Sequence, residues 1–156
     1  HGWFDKRFIY EQSFRTPLIV KWPDVIKPGS INNDLVMNLD LSETLLDAAH
    51  VNIPDDMQWI GMLPVWEWKT PDDWRKYVYY HYYVSGGEHN VAKHIGIRSD
   101  RYKLINYYEN NDWELYDLQK DPSELHNIYD DPAYTEIQDS LKTELQVQMK
   151  KFKDNI

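Results

Sequence analysis

Short apolar runs separated by turn residues mark the first half of the chain. Residues 18–20 (Leu-Ile-Val) form a continuous apolar run that ends at a Trp-Pro pair, which predicts a buried strand. Residues 42–49 predict a short helix with Ser42 as its N-cap. The apolar positions of that helix recur at helical spacing and predict one buried face: Leu41, Leu45, Leu46 and Ala49. Proline and glycine punctuate residues 52–73, which indicates a bridge between two lobes.

Strand patterns dominate the second half of the chain. Four runs of aromatic and β-branched residues predict strands: residues 77–84, 92–98, 102–108 and 113–118. Because the connections between these runs are short, we expect an antiparallel meander. Residues 134–152 predict a closing helix, and Asp131 is placed to help start it. The apolar stripe of that helix is wide enough to cover one sheet face: Ile137, Leu141, Leu145, Met149 and Phe152.

Composition narrows the class of protein. The 156 residues carry 26 acidic and 17 basic side chains, and the net charge of −9 argues against a nucleic-acid binder. Aromatic residues make up 15% of the chain, which is too much burial capacity for a disordered tail. Cysteine is absent, which excludes disulfide scaffolds, Cys-ligated zinc and thiol nucleophiles. No run approaches the roughly 18 apolar residues of a membrane-spanning helix.

Charged and aromatic residues crowd the first fifteen positions. Lys6 and Glu11 are close enough in sequence for the carboxylate to orient the ammonium towards an anion. Spacing alone favours an ordinary surface loop, because such loops are commonly charged. At this level the choice between an anion-binding lysine and a solvated surface stays open.

Other polar clusters have structural explanations. His81, His89 and His94 lie near a Gly-Gly turn without the spacing of a zinc site, so no metal site is predicted in this chain. Residues 121–124 (Asp-Pro-Ser-Glu) predict a capping box. Three basic residues beside the strands are expected to pack or to protect sheet edges: Arg98, Arg101 and Lys103. The tyrosines of residues 77–84 alternate along a strand, so some of them must face a core.

Segments in four parts of this chain resemble segments of the type I sulfatases, and they follow one another in the same order as in that family. Residues 1–18 (HGWFDKRFIYEQSFRTPL) are similar to the second signature of that family, an HG-x-x-x-K-x3-Y-E segment followed by R-x-P. The similarity continues through three short stretches: Trp22-Pro23, residues 27–29 (KPG) and residues 40–47 (DLSETLLD). It reaches two later segments: residues 96–105 (GIRSDRYKLI) and 115–124 (LYDLQKDPSE). Nearly the whole chain is covered, and the shared order argues against chance.

The resemblance implies an α/β fold of the alkaline phosphatase superfamily. Residues 1–55 would then form the C-terminal edge of the large catalytic domain, at the rim of a mixed sheet. Residues 56–73 would be the bridge. Residues 74–156 would be the C-terminal subdomain, a small four-stranded antiparallel sheet with the C-terminal helix packed on it.

The resemblance also implies roles for individual residues. Lys6 matches the lysine that contacts the sulfate of the substrate, where a fixed ammonium stabilises the charge that builds in the transition state. His1 opens the same segment and is expected to contact the substrate. His89 and His94 are expected to hydrogen-bond the sugar that carries the sulfate. Purely structural histidines are the alternative.

The cofactors of the family are expected outside this chain. Type I sulfatases convert a Cys or Ser in a C/S-x-P-x-R motif to formylglycine and bind calcium through acidic residues. This sequence has no cysteine, no Ser-x-Pro-x-Arg and no Asp-Asn/His-Gly motif. We therefore expect an inactive C-terminal fragment whose partner is the missing N-terminal half. The resemblance implies a location outside the cytoplasm, so the protein would be periplasmic, secreted or lysosomal.

The activity that the resemblance implies is hydrolysis of sulfate esters on glycans. A 6-O-sulfated N-acetylhexosamine, the substrate class of N-acetylglucosamine-6-sulfatases and related glycosaminoglycan sulfatases, is favoured over an aryl sulfate. An iduronate 2-sulfatase is an alternative. So are a phosphonate monoester or phosphodiester hydrolase of the same superfamily, a non-catalytic carbohydrate-binding lobe, and a purely structural lobe.

Overall fold

Two compact units make up the chain. The computed structural model describes three stretches: residues 7–84, residue 86 and residues 91–156. The sheet unit comprises the described residues up to Pro17 together with residues 77–156, and the loop unit comprises residues 18–76. The domain boundaries expected near residues 55 and 73 refer to a longer protein and stay a prediction.

The regular elements are short except for the last helix. The described helices are α1 (Glu11–Phe14), α2 (Asp40–Ala48), α3 (Leu63–Trp66) and α4 (Thr135–Lys151). The strands are β1 (Tyr77–Tyr82), β2 (His94–Ser99), β3 (Tyr102–Tyr107) and β4 (Asp112–Asp117).

The four strands form one antiparallel sheet in the order of their sequence. Strands β2 and β3 are joined by a two-residue hairpin, in which the Tyr102 N–H donates to Ser99 Oγ at 2.8 Å. Asn111 supplies a positive φ of 51° in the turn before β4, a conformation that asparagine tolerates. The predicted four-stranded meander is confirmed.

Helix α4 covers one face of the sheet. It buries Leu141 and Leu145. These side chains pack on apolar residues of three strands: Ile95, Ile97, Leu104 and Leu115. Asp131 starts the preceding 3-10 turn, because its carboxylate accepts a hydrogen bond from the Ala133 N–H at 2.9 Å. The predicted helix and its apolar stripe are confirmed.

The N-terminal segment (residues 7–17) covers the opposite face of the sheet. Its buried residues are Phe8, Ile9 and Tyr10. They form a second core with residues of the sheet unit: Val91, Ile105, Tyr107 and Tyr116. Both faces of the sheet are therefore covered, one by α4 and the other by the N-terminal segment. That segment has only one helical turn, and the sequence pattern does not predict that it packs on the sheet.

Polar side chains occupy the buried face of α2, and the prediction of an apolar face is wrong. Glu43 and Thr44 are buried, whereas Leu45 is 64% exposed. The Met62 N–H donates to Thr44 Oγ1 at 2.7 Å, and the Trp59 N–H donates to Glu43 Oε1 at 3.1 Å. These loop N–H groups need acceptors when they are buried, and leucine side chains cannot provide them.

Two further predictions for the loop unit are wrong. Helix α2 begins at Asp40 with Leu39 at the N-cap position, so Ser42 lies inside the helix. Residues 18–20 form no strand in the structure, and Ile19 is 93% exposed. A strand needs a neighbour for its backbone N–H and carbonyl groups, and none of the strand pairings of the described residues includes this run.

Candidate functional site

Three of the four predicted site residues lie outside the described residues: Lys6, His1 and His89. Their roles stay predictions. The structure does describe His94, the residues that follow Lys6 in sequence, and the sheet surface on which those residues lie. The candidate site is therefore the surface that holds residues 7–11.

Strands β1 and β2 contact the first described residues. The Arg7 carbonyl accepts a hydrogen bond from the Tyr80 hydroxyl at 2.9 Å. The Phe8 ring stacks on the imidazole of His94, with the ring centroids 5.7 Å apart. One backbone group and one side chain of the segment are thus held by two different strands.

Gly96 provides the space for Ile9, which is completely buried. A Cβ atom added at Gly96 would lie 3.1 Å from Ile9 Cδ1 and 2.7 Å from the Leu104 carbonyl oxygen. Because interiors are close-packed, a side chain at this position would have to displace both neighbours. Because glycine has no side chain at position 96, the N-terminal segment can lie close to the sheet.

The Tyr10 hydroxyl lies in a cluster of carboxylate and phenol groups. It donates to Glu114 Oε2 at 2.8 Å and lies 3.2 Å from the Tyr107 hydroxyl. Burial, followed by the hydrogen bond with Tyr107, raises the pKa of Tyr10, so the hydroxyl remains a donor. Burial also raises the pKa of Glu114, against the opposing effect of the hydrogen bonds from Tyr10 and Tyr116.

Glu11 pairs with basic residues of two strands. Its Oε1 lies 2.8 Å from Lys103 Nζ and 3.2 Å from Arg98 Nε. Burial alone would raise the pKa of Glu11, but the hydrogen bond from Arg98 and the charge of Lys103 lower it. These contacts give Glu11 a structural role in the sheet unit. Whether it also orients Lys6, as the spacing suggests, stays a prediction.

Glu124 completes a buried group of charges. Its Oε1 lies 2.6 Å from Lys103 Nζ, and its Oε2 accepts a hydrogen bond from the Glu11 N–H at 2.6 Å. Lys103 and Glu124 are 0% and 1% exposed, so neither charge can be solvated by bulk water. We call Glu11, Arg98, Lys103 and Glu124 the ion cluster. It joins the N-terminal segment, β2, β3 and the loop after β4.

The capping box predicted at residues 121–124 is wrong. The Glu124 N–H donates to the backbone carbonyl of Asp121 at 3.1 Å, and the Asp121 carboxylate accepts from the His126 N–H at 2.8 Å. The carboxylate of Glu124 contacts Lys103 instead of turning back to a helix start. A buried ammonium without a counter-charge would be strongly destabilising, which explains why this pairing takes the place of a cap.

His94 is completely buried at the start of β2. Its Nδ1 lies 2.8 Å from the Ala92 carbonyl, so Nδ1 carries the hydrogen and donates it. Its Nε2 has no hydrogen-bond partner among the residues that the structure describes. Burial lowers the pKa of His94, which favours the neutral ring. The predicted contact of His94 with a sugar stays a prediction.

His81 belongs to a different group of polar residues, on the face that α4 covers. Its Nδ1 lies 2.6 Å from Asp154 Oδ2, and its Nε2 lies 3.0 Å from the Tyr108 hydroxyl. The Tyr79 hydroxyl donates to the same Asp154 oxygen at 2.6 Å. Both ring nitrogens of His81 are engaged in contacts that hold the end of the chain on β1.

The described part of the chain contains neither a metal-binding group nor a membrane-spanning helix. Within residues 7–84, 86 and 91–156, no group of three or more His, Cys, Asp or Glu side chains could hold a metal ion. No helix in the same stretches is long and apolar enough to cross a membrane.

Known sulfatases are similar to this chain along nearly its whole length. Residues 1–151 match the family described as N-sulphoglucosamine sulphohydrolase, C-terminal. An N-acetylglucosamine-6-O-sulfatase of Bacteroides thetaiotaomicron is 47% identical over 158 residues, which cover 99% of this chain and 28% of that protein. An N-acetylglucosamine-6-sulfatase of Bos taurus is 28% identical over 80% of this chain and 27% of its own length. The chain spans less than a third of the length of these relatives.

Solved structures show the same fold. One, in complex with its substrate D-glucosamine-2-N,6-O-disulfate, has a TM-score of 0.95 and 46% identity, and the match covers 99% of this chain and 32% of that one. A phosphonate monoester hydrolase of Silicibacter pomeroyi has a TM-score of 0.79 at 23% identity, over 92% of this chain and 30% of that one, which shows the fold alone. The predicted α/β fold of the alkaline phosphatase superfamily is confirmed. The chain belongs to the family of N-sulphoglucosamine sulphohydrolase C-terminal domains.

Proposed function

We propose that this chain is the C-terminal part of a sulfatase that hydrolyses the 6-O-sulfate ester of N-acetylhexosamine residues in glycans. The observation that carries the proposal is the 47% identity, over 99% of the chain, to an N-acetylglucosamine-6-O-sulfatase. A second observation supports the same substrate class: the structure with a TM-score of 0.95 holds a glucosamine sulfated at O6 and at the nitrogen.

The nucleophile and the calcium ligands belong, in this proposal, to the rest of the protein. The chain has no cysteine, and its described residues offer no group that fits a metal ion. Exposed apolar side chains of the loop unit are consistent with a covering partner domain: Leu18, Ile19, Ile31, Leu45 and Val51. The family also supports a location outside the cytoplasm, and this location is part of the proposal.

Lys6 is the catalytic residue that this chain contributes. Attack at sulfur breaks the bond to the bridging oxygen, so negative charge builds on that oxygen as the sugar leaves and the sulfo group is transferred. An ammonium held at that position stabilises the transition state more than the ground state, which lowers the barrier. His1 and His89 are proposed to hydrogen-bond the sugar, whereas the burial of His94 leaves it no exposed surface for such a contact in this chain.

Paired substrates test the activity. Full-length protein should release sulfate from N-acetylglucosamine-6-sulfate faster than from the 4-sulfate isomer, and should release little phosphate from the 6-phosphate ester. Ion chromatography of the released anions measures all three reactions. A preference for the phosphate ester, or no turnover of any sulfated sugar, would contradict the proposal.

The variant Lys6→Ala tests the proposed catalytic residue. We expect kcat/KM to fall by about 100-fold, because one donor to the developing charge is lost. Lys27→Ala is the matched control, since Lys27 is an exposed lysine of the loop unit. Equal activity of the two variants would show that Lys6 does not contact the reacting group.

A further inference from the structure

The geometry points to Lys103 as a positioning residue: through the ion cluster it sets the place of the segment that carries Lys6. This inference rests on the proposed function, since Lys6 is the group that is positioned. The mechanism requires no contact between Lys103 and the substrate. It requires only that residues 7–11 have one fixed position on the sheet.

Successive residues after Lys6 are fixed by separate contacts. The Arg7 carbonyl accepts from Tyr80, and Ile9 is completely buried against Gly96. Consecutive Cα atoms are about 3.8 Å apart, so contacts that hold residues 7–11 act through the backbone on the residue that precedes them. A lysine side chain is long and flexible, and a fixed backbone reduces the entropy that is lost when its ammonium is held.

Lys103 is the centre of these contacts. Its Nζ lies 2.8 Å from Glu11 Oε1 and 2.6 Å from Glu124 Oε1, and its side chain is 0% exposed. Glu124 in turn accepts the Glu11 N–H, so the backbone of the segment is held as well as its side chain. One ammonium therefore bridges the carboxylates of Glu11 and Glu124, and Arg98 supplies the second positive charge of the ion cluster.

The expected consequence is a loss of turnover without a comparable loss of substrate binding. A displacement of about 1 Å at a catalytic group lowers rates by on the order of 100-fold. For Lys103→Met in the full-length protein we expect kcat to fall by at least about tenfold, with KM changed by less than about threefold. Lys103→Arg keeps a cation between the carboxylates and should recover part of kcat.

Arg101→Met is the matched control. Arg101 also pairs with a carboxylate, with its Nη2 2.7 Å from Asp117 Oδ2, and lies two residues before Lys103. It is partly exposed and has no contact with the N-terminal segment among its described hydrogen bonds and ion pairs. The Asp117 carboxylate is buried, at 3% exposure, so the variant loses some stability. We expect its kcat to stay within about twofold of the wild-type value, because the pair joins β3 to β4 and does not include the N-terminal segment.

A double-mutant cycle separates positioning from general stability. If Lys103 acts through Lys6, Lys103→Met should cost less than about twofold in a protein that already carries Lys6→Ala. The full tenfold loss in that background would overturn the inference.

A milder variant covers the case in which Lys103→Met does not fold. Tyr80→Phe removes only the hydroxyl that donates to Arg7, and its kcat loss should also vanish beside Lys6→Ala. An unchanged kcat in Tyr80→Phe, or a loss that adds in full to that of Lys6→Ala, would overturn the inference.

Binding of inorganic sulfate, measured by calorimetry, gives a readout without turnover. Inorganic sulfate lacks the sugar contacts that help to hold the substrate, so its binding reports on Lys6 more directly than KM does. We expect Lys103→Met to weaken sulfate binding, though less than Lys6→Ala does, and Arg101→Met to leave it unchanged. A protein that shows this binding pattern but hydrolyses no sulfate ester would contradict the proposed function and retain the inference. An active protein in which Lys103→Met binds sulfate normally would contradict the inference alone.

Discussion

Two partly buried carboxyl groups, Glu11 of the N-terminal segment and Glu114 of β4, respond to their surroundings in opposite ways. Glu11 has cationic neighbours, and the hydrogen bond from Arg98 and the charge of Lys103 bring its pKa below the ordinary value although burial opposes this. The hydrogen-bond donors to the Glu114 carboxylate among the described residues are tyrosine hydroxyls, and burial brings its pKa above the ordinary value. Burial also raises the pKa of Glu124, although the charge of Lys103 opposes this. The balance therefore depends on the number of cations as well as on their presence, since Glu11 has two cationic neighbours and Glu124 has one.

Glu114 should make folding less favourable as the pH rises. A carboxyl group whose pKa is raised in the folded state contributes most stability below its unfolded pKa, and loses that contribution as the pH passes the folded value. From the ordinary value of 4.5 upwards, the wild-type protein should lose stability relative to Glu114→Gln. Urea midpoints of both proteins at pH 4.5 and pH 7 measure this difference, and parallel changes in the two would contradict it.

Gly96→Ala should destabilise the sheet unit. The added methyl group would meet the Leu104 carbonyl at 2.7 Å and Ile9 at 3.1 Å, and only Ile9 is a side chain that can move. We expect a loss of about 1–3 kcal/mol in the free energy of unfolding, which is typical of overpacking. Thermal unfolding measures it. A stability equal to that of the wild type would mean that Ile9 has space elsewhere.

Elements with a regular hydrophobic pattern could be predicted from the sequence, and elements defined by polar contacts could not. The alternation in residues 77–118 and the stripe in α4 reflect burial of apolar side chains, which a sequence records directly. The buried face of α2 instead serves loop N–H groups that are distant in sequence. The sequence signal for the ion cluster is weaker. Lys103 and Ile105 lie two residues apart in β3 and therefore share one face of the sheet, which places a charged side chain beside a core residue.

Helix α4 contributes to stability through few side chains. Leu145 is completely buried, whereas Val147, on the same helix, is 50% exposed. Leu145→Ala should cost about 2–5 kcal/mol through lost burial and the cavity that remains. Val147→Ala, the control, should change the free energy of unfolding by less than about 0.5 kcal/mol. Similar urea midpoints for the two variants would show that α4 does not pack as described.

At the scale of the whole chain, backbone protection should differ between the two units. The sheet unit has four paired strands and α4, whereas most residues of the loop unit lie outside helices and strands. Hydrogen exchange should therefore be slowest in β2, β3 and their neighbours and faster across residues 18–39. Residues 8–11 should exchange with the sheet unit to which they belong. Equally slow exchange in both units would contradict this division.

The sheet unit is discontinuous in sequence, and this has a consequence for synthesis. Its first part ends at Pro17 and its second begins at Tyr77, while Glu124, which accepts the Glu11 N–H, follows 113 residues after Glu11. A ribosome adding about 5–20 residues per second needs roughly 6–23 seconds to add those residues. During this interval the apolar stretch around Ile9 has no native surface to cover it. The nascent polypeptide therefore exposes an apolar stretch that chaperones can bind until the residues up to Glu124 have been synthesised.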